Sequence, residues 1–125
     1  MTLLLGDLIP LPDIEAHEQE MLRAVDEAML ALAPGTAARD LRGRYPHEAI
    51  RVLAETGVFK TGLVGEKESG TPPYSQRFSL EAQLRIAAVD SSIAQIFKVH
   101  DELLREMTEY GSTAQIDRLR CLVFE

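Results

Sequence analysis

The chain has 125 residues, enough for one domain with one hydrophobic core. Its net charge of -7, with acidic and basic residues interleaved, argues against nucleic-acid binding, which needs clustered lysine and arginine. A single cysteine excludes an internal disulfide and is typical of a reducing compartment. No apolar run approaches the roughly 20 residues of a membrane span, and the apolar start lacks the basic region of a signal peptide. We therefore expect a cytoplasmic protein.

The beginning of the chain differs in pattern from the rest. Pro10 and Pro12 predict that residues 1–12 form an irregular segment. Asp13 is a candidate N-cap, and apolar residues recur from there at steps of three and four, the spacing of amphipathic helices. The sequence thus predicts a single helical domain over residues 13–125.

Apolar periodicity and capping residues predict an all-α bundle of five to six helices with short connections. The predicted helices cover residues 14–32, 46–56, 78–89, 91–109 and 113–125, with a further short turn at 36–42. Gly57 is predicted to end the second of these helices, and Asp90 to cap the fourth. Ser112 and Gln115 form a predicted capping box before the last. Residues 58–74, rich in glycine and proline, are predicted to be a loop.

The same spacing predicts which sides of the helices are buried. The helix at 78–89 is apolar on several sides, which is typical of a central helix in a bundle. Cys121 is expected to be a small buried hydrophobe rather than a reactive thiol. The residues predicted to face inward on the second and last helices are Ile50, Leu53, Ala54, Ile116, Leu119 and Leu122.

Four segments carry a resemblance to a known family. They are Arg39-Asp40 with Arg44-Tyr45-Pro46, Leu53 to Phe59, Ile86 to Ala94, and Tyr110 to Gln115. In this order and spacing, over residues 39–122, the chain resembles the N-terminal helical domain of the acyl-CoA dehydrogenases and their flavin-dependent monooxygenase relatives. The pattern from Asp90 to Gln95, with Val99-His100, is more similar to the monooxygenase and sulfur-compound branch than to the fatty-acid oxidising branch.

The resemblance implies a role in a larger flavoenzyme. Complete members of the family add a β-domain and a four-helix C-terminal domain, which hold FAD or reduced flavin, and they usually form tetramers. In the dehydrogenases the catalytic carboxylate also comes from the C-terminal part. The resemblance therefore implies that this chain has no catalytic or cofactor-binding residue of its own and is inactive alone. Its expected partners are the flavin-binding domains or further copies of itself.

The family's N-terminal domain supplies one wall of the substrate pocket. The resemblance assigns that wall to the predicted helix at 91–109, and steps of three and four put its candidate residues on one side of that helix. These candidates are Gln95, Ile96, Val99, His100 and Leu103. Residues 65–73 depart from the family, which usually has a proline and then a Tyr-Gly-Gly sequence there.

Two readings of other classes stay open beside this one. The first alternative is a stand-alone helical dimerisation or interaction module that kept the fold and lost the chemistry, and which would expose a large apolar face. The second is a ligand-binding bundle with a pocket between its last three helices. The apolar stripe at residues 93–107 is predicted to be the inner face of its helix and mostly core, with part of it open to the alternative of a wall that faces another domain. The predicted inner-face residues are Ile93, Ile96, Phe97, Val99, His100, Leu103, Leu104 and Met107.

The remaining polar residues point to structure more than to chemistry. His100 is either a polar group of the pocket or a histidine packed at the domain surface, and the three histidines are too far apart in sequence to suggest a metal site. Glu48 and Glu55, like Glu102 and Glu106, are expected on solvated faces, paired with Arg51 and Arg105 respectively. The stretch at 65–70 lacks the Lys-Ser/Thr ending of a phosphate-binding loop.

Overall fold

The computed structural model describes residues 12–63 and 72–124. These residues form helices α1 (Ala16–Leu32), α2 (Thr36–Arg42), α3 (His47–Ala54), α4 (Gln76–Ala87), α5 (Ser91–Tyr110) and α6 (Thr113–Phe124), with 3-10 turns at Ala33–Gly35 and Val58–Lys60. No strand occurs within them, so the predicted all-α class is confirmed. The predicted irregular start lies almost wholly outside the described residues, as does the glycine-rich stretch at 65–70.

The core lies where α1, α4 and α5 pack against one another, with α3 closing one side. Each helix contributes buried apolar residues at steps of three and four, so each presents one apolar stripe. Phe78 of α4 and Phe97 of α5 are fully buried, and each contributes about 1.5–3 kcal/mol by burial. The other buried apolar residues of these helices are Leu22, Val25, Met29, Leu32, Ala49, Leu53, Ala82, Ile86, Ile93, Ala94 and Leu104.

The helix junctions follow the predicted capping signals. Asp90 Oδ1 accepts from the backbone N–H of Ser92 at 3.1 Å and of Ile93 at 3.2 Å. Before α6, the Ser112 N–H donates to Gln115 Oε1 at 2.9 Å, and the Gln115 N–H donates back to Ser112 Oγ at 3.3 Å. Gly57 has φ of +89°, which only glycine adopts at low cost, and it ends the turn that follows α3.

The predicted start of the first helix was wrong. Glu15, not Asp13, is its N-cap, and α1 begins at Ala16. The Glu15 side chain accepts from the backbone of Glu18, and Glu18 Oε2 accepts from the Glu15 N–H at 2.9 Å. Glu18 is also held from outside the helix by Ser75, so a distant contact favours this capping box over a cap at Asp13.

The first residues after Gly57, predicted to be loop, form a 3-10 turn. Val58, Thr61 and Leu63 are buried, and the Thr61 hydroxyl donates to the Val58 carbonyl at 2.8 Å. The turn at Val58–Lys60 packs on α5. The left-handed Gly57 turns the chain back toward the core, so apolar residues in a glycine-rich stretch are covered.

Several positions predicted to be buried are exposed, among them Val99, Leu103 and Met107 of the predicted inner face of α5. Ala54 is exposed, and Ala49 takes its expected place in the core. Leu80 and Leu84 lie on the outer side of α4, because only one stripe of that helix meets α1 and α5. Leu122 and Cys121 are also exposed. No residue of α6 is buried, since this helix packs chiefly against the end of α5.

Candidate functional site

The predicted pocket-wall residues lie on α5, and three of them face away from the core. Gln95, Val99 and Leu103 follow one another at one-turn intervals, and all three are exposed, Val99 to 44% and Leu103 to 59%. Met107 and Tyr110 extend the apolar part of this side toward the end of the helix, and they too are exposed. We call these five residues the outer face of α5. It is a long, mostly apolar surface that the described part of the chain does not cover.

The other two predicted residues, Ile96 and His100, are half-buried at the edge of the outer face. His100 Nε2 lies 2.7 Å from the carbonyl oxygen of Phe59, and the two rings meet edge to face at 5.2 Å. Since each residue turns the helix by about 100°, the five predicted residues still share one broad side of α5. The exposed fraction of the side chains therefore decreases across the predicted wall, from exposed Gln95 to half-buried His100.

Two open grooves border the outer face. One, of about 300 Å³, lies between α4 and α5 and is lined by Leu80, Leu84, Gln95 and Lys98, among others. The second, of about 330 Å³, lies at the corner of α5 and α6. Both volumes are at the lower end of those of small-molecule pockets, and both grooves are wide open. They suit contact with another apolar surface better than enclosure of a substrate.

A depression of about 720 Å³ lies between α2 and the start of α5, and Arg39 and Asp90 line it. Arg39 donates from Nε at 3.2 Å and from Nη2 at 3.1 Å to Asp90 Oδ2, and from Nη2 to the Leu32 carbonyl at 2.9 Å. Because Asp90 also caps α5, its carboxylate already fills the place where a helix start would attract an anion. The pair is a structural tie, and the sequence did not predict it.

A second polar cluster is buried between α4 and α5. Asp101, only 1% exposed, accepts at Oδ2 from the Ser79 hydroxyl at 2.6 Å and from Arg105 Nε at 2.8 Å. Arg105 Nη1 donates to the Tyr74 carbonyl at 2.9 Å. Asp101 Oδ1 and Arg105 Nη2 have no partner among the described residues. Among the described residues, the Ser79 hydroxyl contacts Asp101 and Gln83 and no imidazole, so these residues do not form a nucleophile–histidine pair. The cluster links α4, α5 and the segment before α4.

The position of Arg105 in this cluster differs from the prediction. Arg105 was expected on a solvated face beside Glu102 and Glu106, but it turns inward to Asp101, four residues earlier. Glu102 is instead 3.6 Å from Lys98. The Asp-x-x-x-Arg spacing of Asp101 and Arg105 was a readable signal, although nothing local indicated that the pair is buried.

The carboxylate of Glu18 is a third buried charge, only 1% exposed. Its Oε1 accepts from the Ser75 N–H at 2.5 Å, and Ser75 is itself the N-cap of α4. Burial raises the pKa of Glu18, but hydrogen bonds from Ser75 and Glu15 and the nearby His17 outweigh it, and the pKa is lowered from its ordinary value. A carboxylate with a lowered pKa stays ionised at neutral pH and is not a general acid.

The first predicted carboxylate pair behaves as expected. Arg51 donates to Glu48 at 2.6 Å and to Glu55 at 2.8 Å on the exposed side of α3. The hydrogen bond and charge of Arg51 lower the pKa of Glu48. These exposed pairs contribute little to stability because solvent screens them, and both carboxylates are held by Arg51 rather than paired with each other for acid–base work.

Within the described ranges, no group of three or more histidine, cysteine, aspartate or glutamate residues is placed to hold a metal ion. In the same ranges, no helix has both the length and the apolar character to cross a bilayer. Within the described part of the chain, the features that remain are the exposed apolar face on α5 with its grooves, two buried ion pairs and the buried carboxylate of Glu18, which fix the helices around it. Comparison of the chain with protein-family models, curated proteins and solved structures found no match.

Proposed function

We propose that this chain is the helical substrate-pocket domain of a flavin-dependent oxidoreductase of the acyl-CoA dehydrogenase type. Its outer face on α5 forms one wall of the pocket, and the residues that hold FAD or reduced flavin and carry the chemistry belong to β and C-terminal domains. The chain alone is then not catalytically complete. Its expected partners are those flavin-binding domains or further copies of itself.

The uncovered apolar side of α5 carries this proposal. Val99 and Leu103 are predicted wall residues, and they are exposed in the middle of a helix whose other side is firmly packed. Apolar residues at one-turn intervals are stabilised when a second surface removes them from water, by about 25 cal/mol for each Å² buried. A wall that another domain completes has this property.

The positions of the resembling segments support the proposal as well. The segment from Leu53 to Phe59 spans the end of α3 and its left-handed Gly57. The segment from Ile86 to Ala94 spans the α4–α5 junction, and the segment from Tyr110 to Gln115 the turn into α6. Each similarity thus falls on a helix end, where a domain of this type needs the same change of direction.

The test begins with the DNA around the gene. We expect a flavin-binding reading frame, rich in β-strand, in frame with this sequence or beside it. Co-expressed with the chain, its product should bind flavin and turn over substrate, while the chain alone should bind no flavin. If no such reading frame exists, or if the chain alone binds flavin stoichiometrically, the proposal is wrong.

A matched pair of variants tests the wall itself. In the reconstituted complex, Val99→Asp/Leu103→Asp should raise KM by about tenfold or more, because two charges line an apolar pocket. Leu30→Asp/Leu41→Asp introduces the same charges at leucines that are more exposed, 76% and 88%, and lie on α1 and α2. This control should leave KM unchanged, and equal effects of both pairs would contradict the assignment.

The second candidate function is a stand-alone interaction module, and the exposed leucines of α4 favour it. Leu80 and Leu84 extend the apolar surface beyond α5. The chain would then dimerise or bind another protein without any flavin domain. Light scattering against concentration tests the dimerisation, since a clean monomer at high concentration contradicts it.

A further inference from the structure

The groove at the corner of α5 and α6 combines apolar and acidic groups. Leu103, Met107 and Tyr110 provide its apolar lining, and Glu106 is its charged residue. Gly111 forms part of its wall, where a Cβ would lie 2.5 Å from the Met107 carbonyl oxygen. A side chain at this position would therefore push into the corner. Among the described residues that line the groove there is no lysine or arginine.

A row of glutamates runs along α5 beside this groove. Glu102, Glu106 and Glu109 are exposed and follow one another at steps of four and three, so they share one side of the helix. The last turn of α5 carries no basic residue. Like charges at this spacing, and acidic groups near the negative end of a helix, both disfavour the isolated helix. The second half of α5 therefore carries three exposed carboxylates along one side.

Lys98 offsets only the beginning of the row. It lies 3.6 Å from Glu102, one turn before the groove. Within the described part of the chain, Glu106 and Glu109 form no ion pair. Tyr110, beside them, is 79% exposed, and its ring can contact a cation.

We propose that this groove binds a basic amphipathic helix of a partner protein. Apolar side chains of that helix pack on Leu103 and Met107, and a lysine or arginine meets Glu106, Glu109 and the ring of Tyr110. The inference deepens the proposed function, on which it rests only in requiring that another polypeptide covers the outer face of α5. The inference adds that the polypeptide covering this face is basic and amphipathic.

Charge complementarity selects this partner over a second copy of the chain. A second copy would bring its own three glutamates, Glu102, Glu106 and Glu109, to the groove, with Lys98 as the one exposed basic residue of its α5. Such juxtaposed like charges disfavour a complex, whereas a basic flank is attracted and oriented by the same row. The overall charge of -7 adds to the repulsion between copies.

Two synthetic helical peptides provide the probe. They share one pattern of leucines and carry either lysine or glutamate at every polar position. Fluorescence anisotropy should show that the lysine peptide binds the chain at least about tenfold more tightly than the glutamate peptide. Equal affinities would overturn the inference. Self-association through α5 that excludes the lysine peptide would overturn it as well.

Variants separate the groove from general attraction to an acidic protein. Glu106→Gln/Glu109→Gln should weaken lysine-peptide binding by about fivefold or more, while Glu20→Gln/Glu27→Gln, at exposed positions on α1, should leave it unchanged. Leu103→Ser should weaken binding where Leu30→Ser does not. An equal loss in test and control variants would contradict the site. Circular dichroism on each variant confirms that the helices are intact.

The outcomes distinguish this inference from the proposed function. If the flavin-domain complex forms and turns over but the lysine peptide shows no preference, the basic-helix inference is wrong and the proposed function stands. If the peptide preference holds and no flavin-binding partner exists, the proposed function is wrong and the docking site remains.

Discussion

The carboxylate of Glu18 in α1 accepts a hydrogen bond from the backbone N–H of Ser75, 57 positions later in the chain. The same carboxylate accepts from the backbone of Glu15, and Ser75 Oγ accepts from Phe78 at 3.1 Å. One side chain thus ties the starts of α1 and α4 together. Because these two helices form one side of the core, the tie fixes how their apolar stripes meet.

Removal of the Glu18 carboxylate should destabilise the protein more than the loss of a polar side chain usually does. Glu18→Ala leaves the N–H groups of Glu15 and Ser75 without their acceptor, and we expect a loss of about 2–4 kcal/mol. Glu20→Ala, two positions away and exposed, should change stability by less than about 0.5 kcal/mol. Urea denaturation of both variants measures the difference, and equal midpoints would contradict the role of Glu18.

The lowered pKa of Glu18 predicts a pH dependence of stability. A carboxyl group whose pKa is lower in the folded than in the unfolded state stabilises the fold above its unfolded value, here near 4.5. That contribution is lost as pH falls through the folded-state pKa. We therefore expect the stability gap between wild type and Glu18→Gln to be constant near neutral pH and to shrink below about pH 4.5. Denaturation at a series of pH values measures it, and a gap that widens in acid would refute the assignment.

The Arg39–Asp90 pair should show strong coupling. Asp90→Asn keeps an acceptor for the cap of α5 but leaves Arg39, whose side chain is 16% exposed, without its counter-charge. We expect a loss of about 2–4 kcal/mol for Asp90→Asn, and a double variant with Arg39→Met that costs about 1–3 kcal/mol less than the sum. A double-mutant cycle by chemical denaturation provides the measurement. Additive costs would show that the pair is not an energetic unit.

The close approach of Gly62 to α5 predicts a steric effect on the Asp101 cluster. A Cβ at Gly62 would lie 2.9 Å from Leu104 Cβ and 3.2 Å from Asp101 Oδ1. Gly62→Ala should therefore cost about 1–3 kcal/mol through overpacking. Gly43→Ala is a useful comparison, because Gly43 has φ of +58° but open space around it, and should cost about 1 kcal/mol from backbone strain alone. If Gly62→Ala cost less stability than Gly43→Ala, the overpacking argument would be wrong, because α5 would move aside to accommodate the added methyl group.

The sequence predicted those features in which both hydrogen-bond partners lie within a few residues of each other. Asp90 caps the residues directly after it, and Ser112 bonds to Gln115 three positions on, so the local pattern contains both partners. The class of fold and most helices followed from apolar spacing in the same way. Gly57 was predicted for its freedom to take a left-handed conformation.

The contacts that tie the buried charges to other helices were not readable, because their partners are distant in sequence. Arg39 and Asp90 are 51 positions apart, and Ser79 and Asp101 are 22 apart. For the candidate wall, spacing placed its residues on one side of α5 but could not rank their exposure. His100 is packed while Val99 is open because the turn at Val58–Lys60 covers only one edge of the helix.

The carboxylate of Asp90 binds two helices at once. One oxygen receives the first amides of α5, and the other receives the guanidinium of Arg39 on α2. The tilt and rotation of α5 are therefore coupled to the position of a short neighbouring helix. Val99 and Leu103 lie further along α5, so we expect a substitution that loosens the Arg39–Asp90 contact to disturb their surface from a distance.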